Sequence, residues 1–128
     1  MNKTILGTGA LFGLLAVIFG ALGAHGLKNL LPESSLGSFQ TGVAYQMYHA
    51  LFLLVLGTMN QLEEKAKKSV FYLIAGGVLC FSFSIYALST GPLLGLDFSA
   101  IGWITPVGGI LLIAGWTLFI YRVFRGLN

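Results

Sequence analysis

Residues 4–27 read TILGTGALFGLLAVIFGALGAHGL and contain no Asp, Glu, Lys or Arg. The hydrocarbon core of a bilayer is about 30 Å thick, and a helix that rises about 1.5 Å per residue crosses it in roughly 20 residues. This stretch is therefore long enough to span a membrane as one helix. Its apolar run is longer than the roughly 7 to 15 residues of a signal-peptide core, so we expect a retained helix and not a cleaved signal.

Three further charge-free stretches follow, at residues 34–62, 69–96 and 98–121. Of the 128 residues in the chain, 56% are hydrophobic and only 9% are charged, against roughly 25% charged in soluble domains. Backbone groups in lipid must be hydrogen-bonded within a helix or a closed barrel, and these stretches are much longer than barrel strands of about 10 residues. The sequence predicts an all-α fold, a four-transmembrane-helix bundle that forms a single integral membrane domain over residues 1–128. The helices are expected at about 4–26, 36–61, 69–90 and 105–124.

Basic residues are concentrated on one side of this four-pass arrangement. Lys3, the lysines within residues 65–68, Arg122 and Arg125 fall on the side of the termini, against Lys28 alone on the other side. Because short basic loops stay in the cytoplasm, we expect both termini there and a location in the cytoplasmic (inner) membrane. These flanking residues explain the net charge of +3 without a nucleic-acid partner. The expected partner is the lipid bilayer, and a second copy of the chain or another membrane protein stays open as a further partner.

The first helix carries a stripe of small residues. At about 100° per residue, Gly9, Gly13, Gly20 and Gly23 fall on one face. Small residues at such spacing allow the backbones of membrane helices to approach closely. The stripe therefore predicts a helix-packing surface.

The second helix carries a histidine deep in its span. The projection places Ser38, Thr41, Gly42, Tyr45 and His49 on one face. An ionisable residue at that depth indicates function, yet a neutral imidazole can also join two helices by a hydrogen bond of roughly 1 kcal/mol. Both interpretations stay open. We expect a small outward-facing polar pocket between the second, third and fourth helices, lined by Tyr45, Gln46, His49, Ser84 and Tyr86.

The other histidine, His25, lies near the outer interface, on the side of the first helix opposite the glycine stripe. With Lys28 it is expected to mark the end of that helix, where positive charges interact favourably with the unpaired carbonyls of the last turn. The alternative is a role in an outward-facing site. Since His25 is near the surface and His49 is inside, no metal or haem shared by the two is expected within one subunit. No cofactor and no catalytic residue is assigned, because nothing in the sequence pairs a base with a membrane hydroxyl.

Four stretches in the same order closely resemble one family of small, mostly bacterial membrane proteins, the domain of unknown function 423. They are FGALGAHGLK at 19–28, FQTGVAYQMYHALFLL at 39–54, FSFSIYAL at 81–88 and ITPVGG at 104–109. The resemblance covers nearly the whole chain and implies a four-pass inner-membrane protein, but it carries no known reaction or ligand. Phe83 departs from the family pattern, where we expect a small residue. The corresponding motif positions are Gly23, His25 and Gly26, then Thr41, Gly42, Tyr45, Gln46 and His49, then Ser82, Ser84 and Tyr86, and finally Thr105, Pro106, Gly108 and Gly109.

The function expected from the sequence is therefore that of a non-enzymatic accessory protein, or one that binds a small ligand or lipid in the polar pocket. The alternative is a small homo-oligomeric transporter or channel. Proton-coupled transport relies on a membrane-embedded carboxylate, and the charge-free stretches contain none. A lipid-modifying enzyme would need one of the two histidines within about 3 Å of a serine or an acid.

Overall fold

The computed structural model describes residues 2–126, which form helices and turns and, within that range, no strand. Three of the four α-helices are 23 to 27 residues long, and the first is extended by a π-helical turn at Leu22–Gly26. Two short 3₁₀ turns, Gly91–Leu94 and Ser99–Ile101, lie in the link before the last helix. The helices are α1 (Lys3–Ala21), α2 (Glu33–Thr58), α3 (Glu64–Thr90) and α4 (Ile104–Gly126).

The helices run alternately up and down, so the links gather at two ends. The termini end holds Asn2, the α2–α3 link at 59–63 and Gly126, and the distal end holds the links at 27–32 and 91–103. Asn2 ties the termini end together. Its side chain accepts the Ile5 N–H at 3.0 Å and donates to Glu64 at 2.8 Å, and its backbone N–H donates to the Gly57 carbonyl at 2.9 Å. The first turn of α1 is thereby joined to α2 and α3.

Helix α1 packs on α2 through its glycine face. A Cβ at Gly9 would lie 3.0 Å from the Ala50 carbonyl oxygen, and one at Gly23 would lie 3.3 Å from the Phe39 ring. Gly13 and Gly20 also face α2, with more room. The backbones approach here because no side chain separates them.

Helices α3 and α4 form a second close pair. A Cβ at Gly108 would overlap the backbone nitrogen of Phe81, and one at Gly115 would lie 2.6 Å from Ile74 Cδ1. Since the partner number falls as the glycine number rises, the two helices are antiparallel. Between the two pairs, α2 packs on α3, so the four helices follow one another in space as they do along the chain.

The outer surface of the bundle is apolar. Leu14, Val17, Ile110 and Ile113 are among many large hydrophobic side chains that are exposed. By length and composition, three segments can cross a membrane: Lys3–Gly26, Glu64–Leu94 and Ser99–Gly126. Helix α2 is not among these three, although its 26 residues extend about 39 Å. The structure thus contains three membrane-crossing segments by composition and a fourth long helix packed among them.

Lys67 is buried at the termini end, although its position in a basic cluster suggested only a membrane-flanking charge. Its side chain is 1% exposed. The ammonium group donates to the Met59 carbonyl at 2.6 Å and pairs with Glu64 at 2.8 Å. Lys67 therefore satisfies an orphan carbonyl at the end of α2 from the neighbouring helix.

Candidate functional site

Gln46 and Tyr86 form a buried bridge between three helices. Gln46, which is 0% exposed, donates from Nε2 to the Phe12 carbonyl of α1 at 2.8 Å. Its Oε1 accepts the Tyr86 hydroxyl of α3 at 2.6 Å. One amide on α2 thus joins α1 to α3, and both ends of that amide are satisfied within the protein.

The surroundings of Tyr86 explain why Gly42 is needed. A Cβ at Gly42 would lie 2.9 Å from Tyr86 Cε1, so the ring occupies space that any other residue would fill. The Gly42 carbonyl also accepts a hydrogen bond from the Ser82 hydroxyl of α3 at 2.7 Å. Phe83, the departure from the family pattern, packs edge-on against Tyr86 with ring centroids 5.3 Å apart. Aromatic packing therefore fills the space around the Tyr86 ring.

His49 joins α2 to α4. Its Nδ1 lies 2.6 Å from the Tyr45 carbonyl oxygen, and its Nε2 lies 3.0 Å from Trp116 Nε1. The carbonyl can only accept and the indole N–H can only donate, so the ring must be the neutral tautomer with its proton on Nδ1. Both nitrogens are then engaged. This geometry is that of a helix-joining hydrogen bond, one of the two interpretations of His49.

Beside His49 a lateral groove of about 330 Å³ opens between α2 and α4. Phe81 of α3 and Trp116 of α4 line it with Tyr45, which is 40% exposed and stacks on Phe81 with centroids 4.9 Å apart. The groove is mostly apolar, apart from His49. Tyr45 therefore lies on the outer surface of the bundle.

The five side chains expected to line one pocket are thus divided among separate contacts. Gln46 and Tyr86 meet between α1, α2 and α3, and Tyr45 and His49 lie against α4. Ser84 is elsewhere again, at 2.5 Å from the Thr105 hydroxyl between α3 and α4. The structure therefore does not bring these five side chains into one cavity.

A different groove, lined by both hydroxyl groups and apolar side chains, opens at the distal end. It measures about 480 Å³ and lies between the first turns of α2, the end of α3 and the start of α4. Ile85, Leu88, Gly102 and Pro106 supply its apolar and backbone walls. Hydroxyl groups line the rest, from Ser34, Ser35, Ser38, Ser89 and Thr105.

The sequence contained a signal for this hydroxyl groove. Three serines stand within five residues at the start of α2, and Thr105 precedes Pro106 at the start of α4. Both helices begin at the distal end, so their first turns come together there. Only the packing of α2 against α3 brings Ser89 to the same place.

Charged residues near the groove are few and exposed. His25 and Lys28 lie exposed in and after the π-helical turn, and neither lines the hydroxyl groove. The pKa of Asp97 is below its usual range, because the backbone N–H and the hydroxyl of Ser99 both donate to it. Within residues 2–126, no three His, Cys, Asp or Glu side chains are placed to hold a metal ion.

Together, these features define a small helical membrane protein with an internally paired polar core. A family model described as "Protein of unknown function (DUF423)" matches residues 19–109. The chain belongs to this family, and the resemblance carried by the four sequence motifs is confirmed.

Relatives from several bacteria match almost end to end. A UPF0382 membrane protein of Staphylococcus saprophyticus is 37% identical over 123 residues, covering 96% of this chain and 98% of that protein. The UPF0382 membrane protein YwdK of Bacillus subtilis is 38% identical, with 96% and 98% coverage. A Haemophilus influenzae relative of the same name is 34% identical, with 98% and 97% coverage. No solved structure matches the chain.

Proposed function

We propose that the chain is a single four-pass domain of the bacterial cytoplasmic membrane, with α2 as the fourth span and both termini in the cytoplasm. Helix α2 is as long as its neighbours and packs between α1 and α3. The polar side chains near its middle, Gln46 and His49, are buried against those neighbours and α4, which removes them from lipid, while the exposed Glu33 and Gln40 lie toward its distal end. Six of the seven basic residues lie at the termini end, as the positive-inside rule requires of a cytoplasmic face.

Within that domain we propose a non-enzymatic accessory role, the binding of an amphipathic molecule in the hydroxyl groove at the distal end. The observation that carries this proposal is the composition of the groove. The four serine hydroxyls can bond a polar head, the Thr105 hydroxyl being engaged by Ser84, while Ile85, Leu88 and Pro106 can contact an apolar portion. In the proposed orientation the groove opens at the outer membrane interface, where amphipathic molecules place their head groups.

Two further features support binding over catalysis or transport. A serine nucleophile needs a base, yet neither His25 nor His49 lines the hydroxyl groove. Proton-coupled transport relies on an acid within the membrane, whereas all four acidic residues of this chain are exposed at the two ends of the helical bundle. The buried amide of Gln46 is likewise paired within the bundle.

Native mass spectrometry of the protein, purified from its own membrane in a mild detergent, tests the proposal. Ser38→Phe fills the groove from an exposed position, and Ser69→Phe is the matched control at the termini end. We expect a co-purifying amphipathic adduct with the wild type and with Ser69→Phe, and its loss with Ser38→Phe at equal thermal stability. The same adducts on all three proteins would contradict a binding site in this groove.

A further inference from the structure

A third cavity, of about 200 Å³, lies at the termini end, remote from the hydroxyl groove. Leu62, Glu63 and Ala66 line one side of it, from the α2–α3 link and the first turns of α3. Tyr121, Arg122 and Arg125 line the other side, from the last turns of α4. Two guanidinium groups therefore line a small cavity at the end of α4, where a membrane-crossing helix leaves the bilayer.

Arg122 has a donor that the described residues leave unsatisfied. Among residues 2–126, its Nε is the one buried side-chain polar atom without a hydrogen-bond partner. An unpaired buried donor is costly, and for a charged group the cost is larger still. This donor therefore indicates an acceptor outside the described residues.

The two arginines are held in place without being neutralised. Their guanidinium carbons lie 6.0 Å and 5.7 Å from the centre of the Tyr121 ring, at cation–π distance. In the described part of the chain, neither arginine has a carboxylate within ion-pair distance, and Glu64, which follows Glu63, is engaged by Lys67. Glu63 is then the one acidic residue in the cavity wall, against two arginines.

We propose that Arg122 and Arg125 bind the phosphate of a membrane phospholipid at this cavity. A guanidinium presents a planar set of N–H donors that matches phosphate oxygens, and such charge-assisted hydrogen bonds are about twice as strong as neutral ones. Basic pockets between membrane helices are suited to lipid head groups for this reason. Phe124, which is 86% exposed and lies between the two arginines in sequence, supplies an apolar surface beside the site.

Free inorganic phosphate offers the same oxygens, so the experiment must separate the two sources. The full-length protein is titrated in uncharged detergent with dioleoylphosphatidylglycerol, and bound lipid is counted by native mass spectrometry. Dioleoylglycerol, which lacks the phosphate, is the matched lipid control. Inorganic phosphate at millimolar concentration is the competitor.

Arg122→Gln is the decisive variant, and Lys68→Gln makes the same charge change at an exposed position of the same end. We expect phosphatidylglycerol affinity to fall roughly tenfold in Arg122→Gln, less in Arg125→Gln, and not in Lys68→Gln. Arg122→Lys keeps the charge but not the planar donor set, so it should also bind less tightly. Equal melting temperatures of the variants exclude a loss caused by unfolding.

Three outcomes would overturn the proposal. Wild-type affinity in Arg122→Gln would show that the arginine does not hold the head group. Equal binding of dioleoylglycerol would show that the phosphate is not recognised. Displacement of the lipid by millimolar inorganic phosphate would assign the cavity to a free anion and contradict the lipid assignment.

Discussion

Replacing Gln46 by leucine should weaken the bundle, because it removes two interhelical hydrogen bonds at once. The amide loses its bond to the Phe12 carbonyl, and the Tyr86 hydroxyl loses its acceptor. Leucine is close to glutamine in size, so little change in packing accompanies the loss. The Phe12 carbonyl keeps its hydrogen bond within α1, whereas the Tyr86 hydroxyl is left buried without its partner.

The expected cost follows from these two bonds. Interhelical hydrogen bonds in membranes contribute about 0.6 kcal/mol on average and up to about 1.7 kcal/mol each. An unsatisfied buried hydroxyl costs about 1–3 kcal/mol, part of which is the same lost bond counted from the other side. We therefore expect Gln46→Leu to lower the free energy of unfolding by about 2 kcal/mol.

A double-mutant cycle with Tyr86→Phe isolates the bond between the two side chains. Tyr86→Phe removes the hydroxyl, so in the double variant no buried hydroxyl lacks an acceptor. The double variant should be less destabilised than the sum of the single variants, by about 1 kcal/mol. The matched control is Thr41→Val on α2, since the exposed Thr41 hydroxyl bonds only the Gly37 carbonyl of its own helix at 3.0 Å.

Equilibrium unfolding in mixed micelles of a mild detergent and dodecyl sulfate, followed by circular dichroism, measures these differences. Thr41→Val should leave the transition unchanged. Additive effects of Gln46→Leu and Tyr86→Phe, or a Gln46→Leu variant as stable as wild type, would refute the bridge between α1, α2 and α3.

Three further changes test the contacts of the other helices. Gly108→Ala should cost about 1–3 kcal/mol in the same unfolding assay because its Cβ meets the backbone of α3. Gly109→Ala should be tolerated, since its Cβ would make only an ordinary contact with Phe81 Cδ1 at 3.9 Å; equal effects would argue against the close α3–α4 contact. His49→Leu should cost about 1 kcal/mol and alter the tryptophan fluorescence, since the indole N–H loses its acceptor; unchanged stability would mean that this histidine does not join the helices. Lys67→Met should cost about 1–2 kcal/mol through the uncapped end of α2, and a similar loss in the exposed Lys68→Met would assign the effect to charge alone.

The membrane class of this protein could be predicted from the sequence because it depends on composition along the chain. Charge-free stretches of adequate length imply helices in lipid whatever their packing, since the backbone must be satisfied within each segment. The four motifs likewise identify the family, because each is a local stretch and their order along the chain is fixed. The face of α1 that packs could also be anticipated, because only small residues permit backbones to come so close.

The buried face of α2 could be predicted only in part. Of the five residues projected onto one face, Gly42 and His49 are buried, whereas Ser38, Thr41 and Tyr45 are exposed. In water the apolar side of a helix marks the core, but in lipid both sides are apolar and this contrast disappears. The buried side of α2 is set by hydrogen-bond partners on α1 and α3, which are distant in sequence.

The sequence by itself therefore determined the environment, the number of long helices and the glycine packing face, all of which are properties of single segments. The tertiary structure decided the rest: the pairing of Gln46 with Tyr86, the hydroxyl groove, the buried Lys67 and the unpaired Nε of Arg122. Each of these depends on side chains from different helices meeting at one depth. That registry is set by close backbone contacts such as the one at Gly108, and no local pattern in the chain encodes it.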